Sequence, residues 1–211
     1  MKKLLHYYKI IYTYEDKKSV SLLRNIIYAF IIIALYAIVT ISIPTFTINF
    51  KHILIYFTFL SLSAAGLNIF YIENKRETGL FEYLLSSVLN KYEVILIEYL
   101  IIIKRSFCNF FTNIFLLLLI AYLNNITFNI EMLFTLLLVI SLFFIYNGFA
   151  LLSYFKFENY SKIISALVVL STMIILIFTD SYVPIFLTLN TLVMLSSLTL
   201  YTNIDNKHFL P

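Results

Sequence analysis

The sequence predicts an all-α integral membrane protein with six transmembrane helices. Of its 211 residues, 62% are hydrophobic and only 12% are charged, and the mean hydropathy is +0.94. A soluble domain carries roughly 45–50% apolar and about 25% charged residues. The chain therefore has too few polar residues to cover a water-soluble globule, and this excludes disordered, disulfide-rich and nucleic-acid-binding classes.

Six apolar runs predict the spans of one transmembrane domain covering residues 1–211, because a bilayer core requires about 20 apolar residues per helix. The runs are residues 25–43, 53–72, 94–123, 132–155, 163–179 and 185–200. The last two are short and flank a polar break, so they form either two full spans or one broken pair. We favour full spans.

Residues 4–14 precede the first predicted span and alternate apolar and polar positions at roughly helical spacing. Such a pattern is typical of an amphipathic helix that lies on the membrane surface. The sequence therefore predicts an N-terminal interfacial helix on the inner leaflet.

The positions of the cations predict that both termini lie inside. With the N-terminus inside, every one of the 15 Lys and Arg residues except Lys51 falls on the inner side. Inner loops of membrane proteins carry this excess of positive charge. We expect a multi-pass protein of the bacterial cytoplasmic (inner) membrane, or of the mitochondrial inner membrane if the protein is organellar.

Catalytic and metal-binding signatures are missing from the sequence. The single Cys108 excludes an internal disulfide and a cysteine-cluster metal site. Three glycines cannot build a phosphate-binding loop, so any ATP would bind to a separate subunit. The three histidines are scattered over the N-terminal tail, the outer edge of the second span and the C-terminal tail, so the sequence brings no pair of them together. We therefore expect no enzymatic site, no metal and no cofactor bound by this chain.

Polar residues within the predicted spans are candidates for contacts between helices. Asparagine in a membrane helix commonly hydrogen-bonds to a neighbouring helix and can also line a pathway. The four such residues are Asn68, Asn113, Asn147 and Asn190. Each is expected to have this structural role or to line a pathway.

Glu98, Lys104 and Arg105 lie near the start of the third predicted span. Ionisable groups at membrane depth often mark functional sites. The alternative is that this stretch lies at the inner interface, where long charged side chains extend to water. We favour the interfacial interpretation for all three residues.

The long polar segment 73–93 follows the second span on the inner side. Thr78 is placed to cap a short helix, and Glu82 lies in its first turns, where a negative charge interacts favourably with the helix dipole. Leu80, Tyr83 and Leu84, with Phe81 beside them, form an apolar face at helical spacing. Such a helix is suited to docking in a groove of another protein. The alternative is a solvated loop with one interfacial turn.

This segment resembles the coupling segment of ABC-2 type transporter permeases. The pattern is Glu-x-Gly-x-x-Glu-x-Leu-x-Ser from Glu77 to Ser86, followed by Lys91 and Glu93 at the start of the third span. The resemblance implies that a short helix contacts a separate ABC ATPase subunit, which binds ATP. The coupling residues it implies are Glu77, Gly79, Leu80, Phe81, Glu82, Tyr83, Leu84 and Leu85.

Within that family the layout is most similar to the heme exporter B subunit of cytochrome c maturation (CcmB). The shared features are small size, short outer loops, the position of Gly79, and a cation-flanked segment 156–162 before the aliphatic run 163–179. The prolines usual in the subfamily are absent, and Ser86-Ser87-Val88 and Leu170-Ser171-Thr172 stand there instead.

The subfamily resemblance implies a set of partners and a cargo. The partners are a CcmA-like ATPase, CcmC-like and CcmD-like membrane proteins, and a CcmE-like heme chaperone as client. Heme is the cargo, or else ATP is used to release the loaded chaperone. If heme is present outside the membrane, His52 at the outer edge of the second span is the one histidine placed to contact it. The chain is expected to form a homodimer or a hetero-oligomer in the lipid bilayer.

Two other functions fit the same sequence. One is a generic ABC-2 permease that exports a peptide, a drug or a lipid-linked glycan. The other is a membrane protein without a transport function, such as an assembly factor or an immunity protein.

Overall fold

The computed structural model of the protein describes residues 6–7, 50–77, 79–86, 89–179 and 181–205. Every regular element in these residues is a helix, which confirms the all-α prediction for them. The elements are α1 (Phe50–Glu77), α2 (Leu80–Ser86), α3 (Lys91–Leu123), α4 (Ile130–Phe157), a 3-10 turn (Glu158–Tyr160), α5 (Ser161–Phe178) and α6 (Tyr182–Thr202).

The helices α4, α5 and α6 are each long and apolar enough to cross a membrane. With 18 and 21 residues, α5 and α6 extend about 27 and 32 Å at 1.5 Å per residue. They are separate, uninterrupted helices rather than the two halves of a broken one. Three helices of this kind indicate a membrane protein.

Two predicted segments fall outside the described residues. One is the first span, 25–43. The other is the interfacial helix 4–14, of which only His6 and Tyr7 are described, and both are helical. The second predicted span, 53–72, lies within the 28-residue α1, and the third lies within the 33-residue α3.

A capping box starts α3 at Lys91, three residues before the predicted boundary. The Asn90 side chain accepts a hydrogen bond from the Glu93 backbone N–H at 2.9 Å, and the Glu93 carboxylate accepts one from the Asn90 N–H at 2.9 Å. This arrangement satisfies two of the free N–H groups at the helix start. Asn129 starts α4 in a similar way, accepting from the Met132 N–H at 2.8 Å.

The helix α4 lies at the centre of the bundle and packs against α1, α3, α5 and α6. A stack of three phenylalanine rings joins it to α1 and α3. The ring centroids are 5.2 Å apart for Phe57 and Phe110 and 3.9 Å apart for Phe110 and Phe143. Stacked aromatic rings of this kind add to the stability gained from burying their area.

Successive long helices run in opposite directions along the bundle. Asn68 of α1 is bonded to Ser106 of α3 and to Asn147 of α4, so the three helices meet at one depth. Lys156, at the end of α4, donates to the carbonyl of Asn203 just beyond α6 at 2.9 Å. The helix α2, the α4–α5 corner and the C-terminal end of α6 therefore share one end of the bundle, called here the α2 end.

Candidate functional site: helix α2 and its surroundings

The short helix α2 is seated on the bundle by two apolar side chains. Phe81 and Leu84 are 0% and 1% exposed, and the Phe81 ring packs edge-on against Phe155 of α4 with centroids 5.2 Å apart. Leu80 and Leu85 are half-buried against the same core. The apolar side of α2 is therefore occupied by the chain's own helices.

The exposed side of α2 differs from the sequence prediction. Tyr83, expected on the apolar face, is 66% exposed, and Glu82 beside it is exposed as well. The reason is that Phe81 and Leu84 are the buried pair, with Phe81 against Phe155 of α4, which turns Tyr83 away from the bundle. The surface left for a partner is a carboxylate and a phenol ring rather than an aliphatic stripe.

Gly79 forms the turn between α1 and α2. Its φ of +70° lies in the left-handed region, its N–H donates to the Arg76 carbonyl at 3.0 Å, and its carbonyl accepts from the Tyr83 N–H at 3.1 Å. A Cβ at this position would meet nothing closer than the Glu82 carboxylate at 3.8 Å. The backbone conformation, and not the available space, favours glycine here. Glu77, at the end of α1, is exposed, and the predicted Thr78 cap lies outside the described residues.

Glu98 does not extend to water as predicted. It is 0% exposed, and both its carboxylate oxygens accept from the Lys75 ammonium, at 2.9 and 2.7 Å. A buried carboxylate requires such a partner, because an unpaired charge in the interior is very costly. The interfacial interpretation was therefore wrong for Glu98.

Lys104 and Arg105 are exposed, and their position at the membrane interface stays a prediction. The Arg105 guanidinium lies 3.8 Å from the centroid of the Tyr71 ring, and the Lys75 ammonium lies 4.4 Å from it. A ring face attracts cations in this geometry. Tyr71 therefore contacts both the buried Lys75 and the exposed Arg105.

Two further ion pairs extend from the same turn of α1. Lys162 of α5 donates to both carboxylate oxygens of Glu73, at 2.8 and 2.6 Å. The Arg76 guanidinium contacts the Glu158 carboxylate at 2.8 Å and hydrogen-bonds to the hydroxyl of Tyr154. We call the three pairs Lys75–Glu98, Arg76–Glu158 and Glu73–Lys162 the ionic junction.

The ionic junction was not predicted as a unit from the sequence. From the sequence, Lys75 and Arg76 indicate only the orientation of the chain in the membrane. The sequence does contain a pattern that indicates the ionic junction. Charges of both signs lie within about one helical turn directly after an apolar span, at Glu73, Lys75, Arg76 and Glu77. Charges at such a boundary are expected to pair with one another.

Two of the predicted asparagines meet in one hydrogen-bond network. The Asn68 amide donates to the Ser106 hydroxyl and to the Asn147 side-chain carbonyl, both at 2.9 Å. The Asn147 amide in turn donates to the Phe143 carbonyl at 2.8 Å. This network joins α1, α3 and α4.

Asn190 makes a second, separate network between α6 and α4. Its amide donates to the Leu138 carbonyl at 3.0 Å, and its side-chain oxygen accepts from Ser141 at 2.9 Å. Asn113 lies in α3, and its side chain is outside the described set. Every buried side-chain nitrogen or oxygen in the described part of the chain has a hydrogen-bond partner, so these amides act as contacts between helices.

His52 is exposed in the first turn of α1, at the opposite end of the bundle from α2. No group of three His, Cys, Asp or Glu side chains is placed to hold a metal ion among the described residues. His52 therefore belongs to no such group of three within the part of the chain that the structure describes.

An open groove of about 340 Å³ lies between α3, α4 and α6 at the α2 end. Its walls are mainly apolar and aromatic, including Tyr92, Tyr99, Leu151 and Tyr201. The two polar lining residues Asn90 and Glu93 are already bonded to each other in the capping box. The polar side chains of Asn90 and Glu93 are therefore engaged at the start of α3.

The chain matches no protein-family model, and no curated protein or solved structure matches it either.

Proposed function

We propose that this chain is the membrane-spanning subunit of an ATP-driven export complex of the ABC-2 type. The observation that carries the proposal is the position of α2. This helix is anchored on the bundle by Phe81 and Leu84 and presents Glu82 and Tyr83 to the outside. A short helix that is anchored on one side and exposed on the other is suited to transmit a push from a soluble partner into the membrane helices.

The charge distribution supports an inward-facing α2 end. Among the described cations, Lys51 alone lies at the opposite end, while Lys91, Lys156 and Lys162 lie at the α2 end of the bundle. Positive residues are retained on the cytoplasmic side of membrane proteins. The proposed layout has six spans with both termini inside, in the bacterial cytoplasmic membrane or its organellar counterpart.

The exposed side of α2 defines what the ATPase subunit must offer. Glu82 requires a cation or backbone N–H groups, and Tyr83 requires an apolar slot with a polar group for its hydroxyl. Closure of the ATPase subunits around ATP would push on these two residues. Phe81 and Leu84 would then pass the displacement to the ends of α1, α3 and α4.

The first experiment is affinity purification of the tagged chain in mild detergent, with mass spectrometry of the proteins that co-purify. We expect an ATPase subunit among the proteins that co-purify. Substitution Glu82→Gln should then lower the ATP hydrolysis that the chain stimulates by about fivefold or more, the lower end of typical coupling between two sites. Glu131→Gln is the matched control, because Glu131 is an exposed glutamate in the first turn of α4 at the opposite end.

Absence of an ATPase among the co-purified proteins would contradict the proposal and leave an assembly or immunity protein as the better account. Equal loss of stimulated hydrolysis in Glu82→Gln and Glu131→Gln would show that α2 has no special role. Membrane insertion of each variant is measured in parallel, so that a folding defect is recognised.

A narrower form of the proposal assigns the chain to the heme exporter complex of cytochrome c maturation. It rests on the subfamily resemblance and on the exposed position of His52 opposite α2, where a heme outside the membrane would be accessible. Co-purification of CcmC-like and CcmE-like proteins would support it, and His52→Ala should then lower heme transfer. An ATPase without these partners would favour a generic permease for a peptide, drug or lipid-linked glycan.

A further inference from the structure

The ionic junction joins one turn of α1 to three different elements. Successive residues of an α-helix are about 100° apart around its axis, so the side chains of Glu73, Lys75 and Arg76 leave α1 in three directions. Glu73 contacts α5, Lys75 contacts α3, and Arg76 contacts the 3-10 turn after α4. Because the turn of α1 that holds Glu73, Lys75 and Arg76 immediately precedes α2, a displacement of α2 acts on all three contacts.

The three contacts differ strongly in burial. The Lys75 and Glu98 side chains are 7% and 0% exposed, whereas those of Lys162 and Glu73 are 40% and 36% exposed. Separating a buried pair strands a charge in the interior, while an exposed pair that opens is solvated by water. The α1–α3 contact is therefore difficult to open, and the α1–α5 contact is easily opened.

The third contact joins Arg76, which is 11% exposed, to Glu158, which is 51% exposed, and it lies at a strained corner. Glu158 has a φ of 31°, a conformation that residues other than glycine rarely adopt. Its carboxylate is held by Arg76 at 2.8 Å. Loss of this contact would free the corner between α4 and α5 to adopt a relaxed backbone conformation, which favours movement of α5 relative to α1.

We propose that the ionic junction has one permanent side and one releasable side. Lys75–Glu98 makes α1 and α3 move as one unit, and Glu73–Lys162 is the contact that opens between this unit and α5 when the ATPase loads α2. The second clause rests on the proposed function. The first clause, that Lys75–Glu98 holds α1 and α3 together, is independent of the proposed function. The ease with which the α1–α5 contact opens is independent of it as well.

Pulsed EPR distances between two nitroxide labels test the junction without any ATPase. In a chain carrying Cys108→Ala, one label pair at Ser86→Cys and Ile163→Cys reports α2 against α5, and both sites lie outside the residues proposed to contact the ATPase. A second pair at Asn74→Cys and Leu100→Cys reports α1 against α3. All four sites are exposed, and the protein is reconstituted in nanodiscs.

Reversal of one charge should broaden the α2–α5 distance distribution, whether the change is Glu73→Lys or Lys162→Glu. The double swap should restore the narrow distribution, because it rebuilds the pair with opposite polarity. The α1–α3 distribution should stay unchanged in all three variants. Single variants as narrow as the unchanged chain, or equal broadening of both label pairs, would overturn the proposal.

The same label pairs in the complex with the ATPase then test the opening step. On ATP binding the α2–α5 distance should shift beyond the width of its resting distribution, and the α1–α3 distance should not. An unchanged α2–α5 distance in an assembled complex would refute opening. Failure to assemble any complex would refute the proposed function instead, and the nanodisc measurements would still decide the two-sided junction.

Discussion

Lys75 and Glu98 form a buried ion pair that joins the two helices on either side of α2. The ammonium lies 2.9 and 2.7 Å from the two carboxylate oxygens, and the carboxylate is 0% exposed. The ends of α1 and α3 are thereby fixed to each other directly beside the helix that we propose to receive the ATPase.

Removal of one partner of this pair should destabilise the protein strongly. We expect Lys75→Met alone to lower the free energy of unfolding by about 3–5 kcal/mol, because it leaves the Glu98 carboxylate buried without its cation. The double variant Lys75→Met/Glu98→Leu should recover most of this loss. Unfolding in detergent, followed by circular dichroism, measures both. A double variant no more stable than the single one would show that the pair contributes more than mutual neutralisation.

The Asn68–Asn147 network should contribute a modest, non-additive amount to stability. Asn68→Leu is expected to cost about 0.6–2 kcal/mol, the range for hydrogen bonds between membrane helices. The double variant with Asn147→Leu should cost less than the sum of the two single variants, since both lose the same bond. Asn190→Leu, in a separate network, should add independently to Asn68→Leu. Full additivity within the first pair would contradict the shared bond.

Substitution at Gly79 should be governed by backbone conformation. Gly79→Ala is expected to cost about 1–2 kcal/mol, because a left-handed conformation is unfavourable for residues with a Cβ. Gly79→Asn should cost less, since asparagine tolerates this region. Gly148→Ala is the control: its Cβ would meet the Tyr99 ring at an ordinary 3.4 Å. Equal costs for alanine at both glycines would argue against the turn conformation.

Loss of the capping box should loosen the first turn of α3. We expect Asn90→Ala to cost about 1 kcal/mol and Asn90→Ser much less, because serine also accepts a hydrogen bond from the N3 N–H group. Hydrogen exchange of the amides at residues 91–94 should accelerate in the alanine variant. The same exchange at the start of α4, capped by Asn129, provides the internal reference. Unchanged exchange at residues 91–94 would refute the cap.

The positions of the long helices could be predicted from the sequence because each depends on a local property. An apolar run of suitable length indicates a helix whatever lies beside it, and the predicted 132–155 lies within the observed Ile130–Phe157. The predicted helix starts differ from the observed ones by two or three residues at α1, α3 and α4. The Asn-x-x-Glu pattern at Asn90 would have placed the start of α3 correctly.

The orientation of α2 could not be predicted in the same way. Two overlapping apolar stripes share Leu84, one with Leu80 and Tyr83 and one with Phe81. Helical periodicity does not choose between them, and the choice is made by contact with Phe155 of α4, far away in the sequence. Glu98 shows the same limitation, because its burial depends on a lysine in another helix.

The different spacings of the ionic pairs along the chain have a consequence for biosynthesis. Lys75 and Glu98 are 23 residues apart, whereas Glu73 and Lys162 are 89 residues apart. A chain synthesised from its N-terminus therefore completes the buried pair as soon as α3 is inserted, but the half-exposed pair must wait for α5. During that interval Glu73 is without Lys162, and its partly solvated position lets water stabilise the carboxylate until translation of α5 is finished.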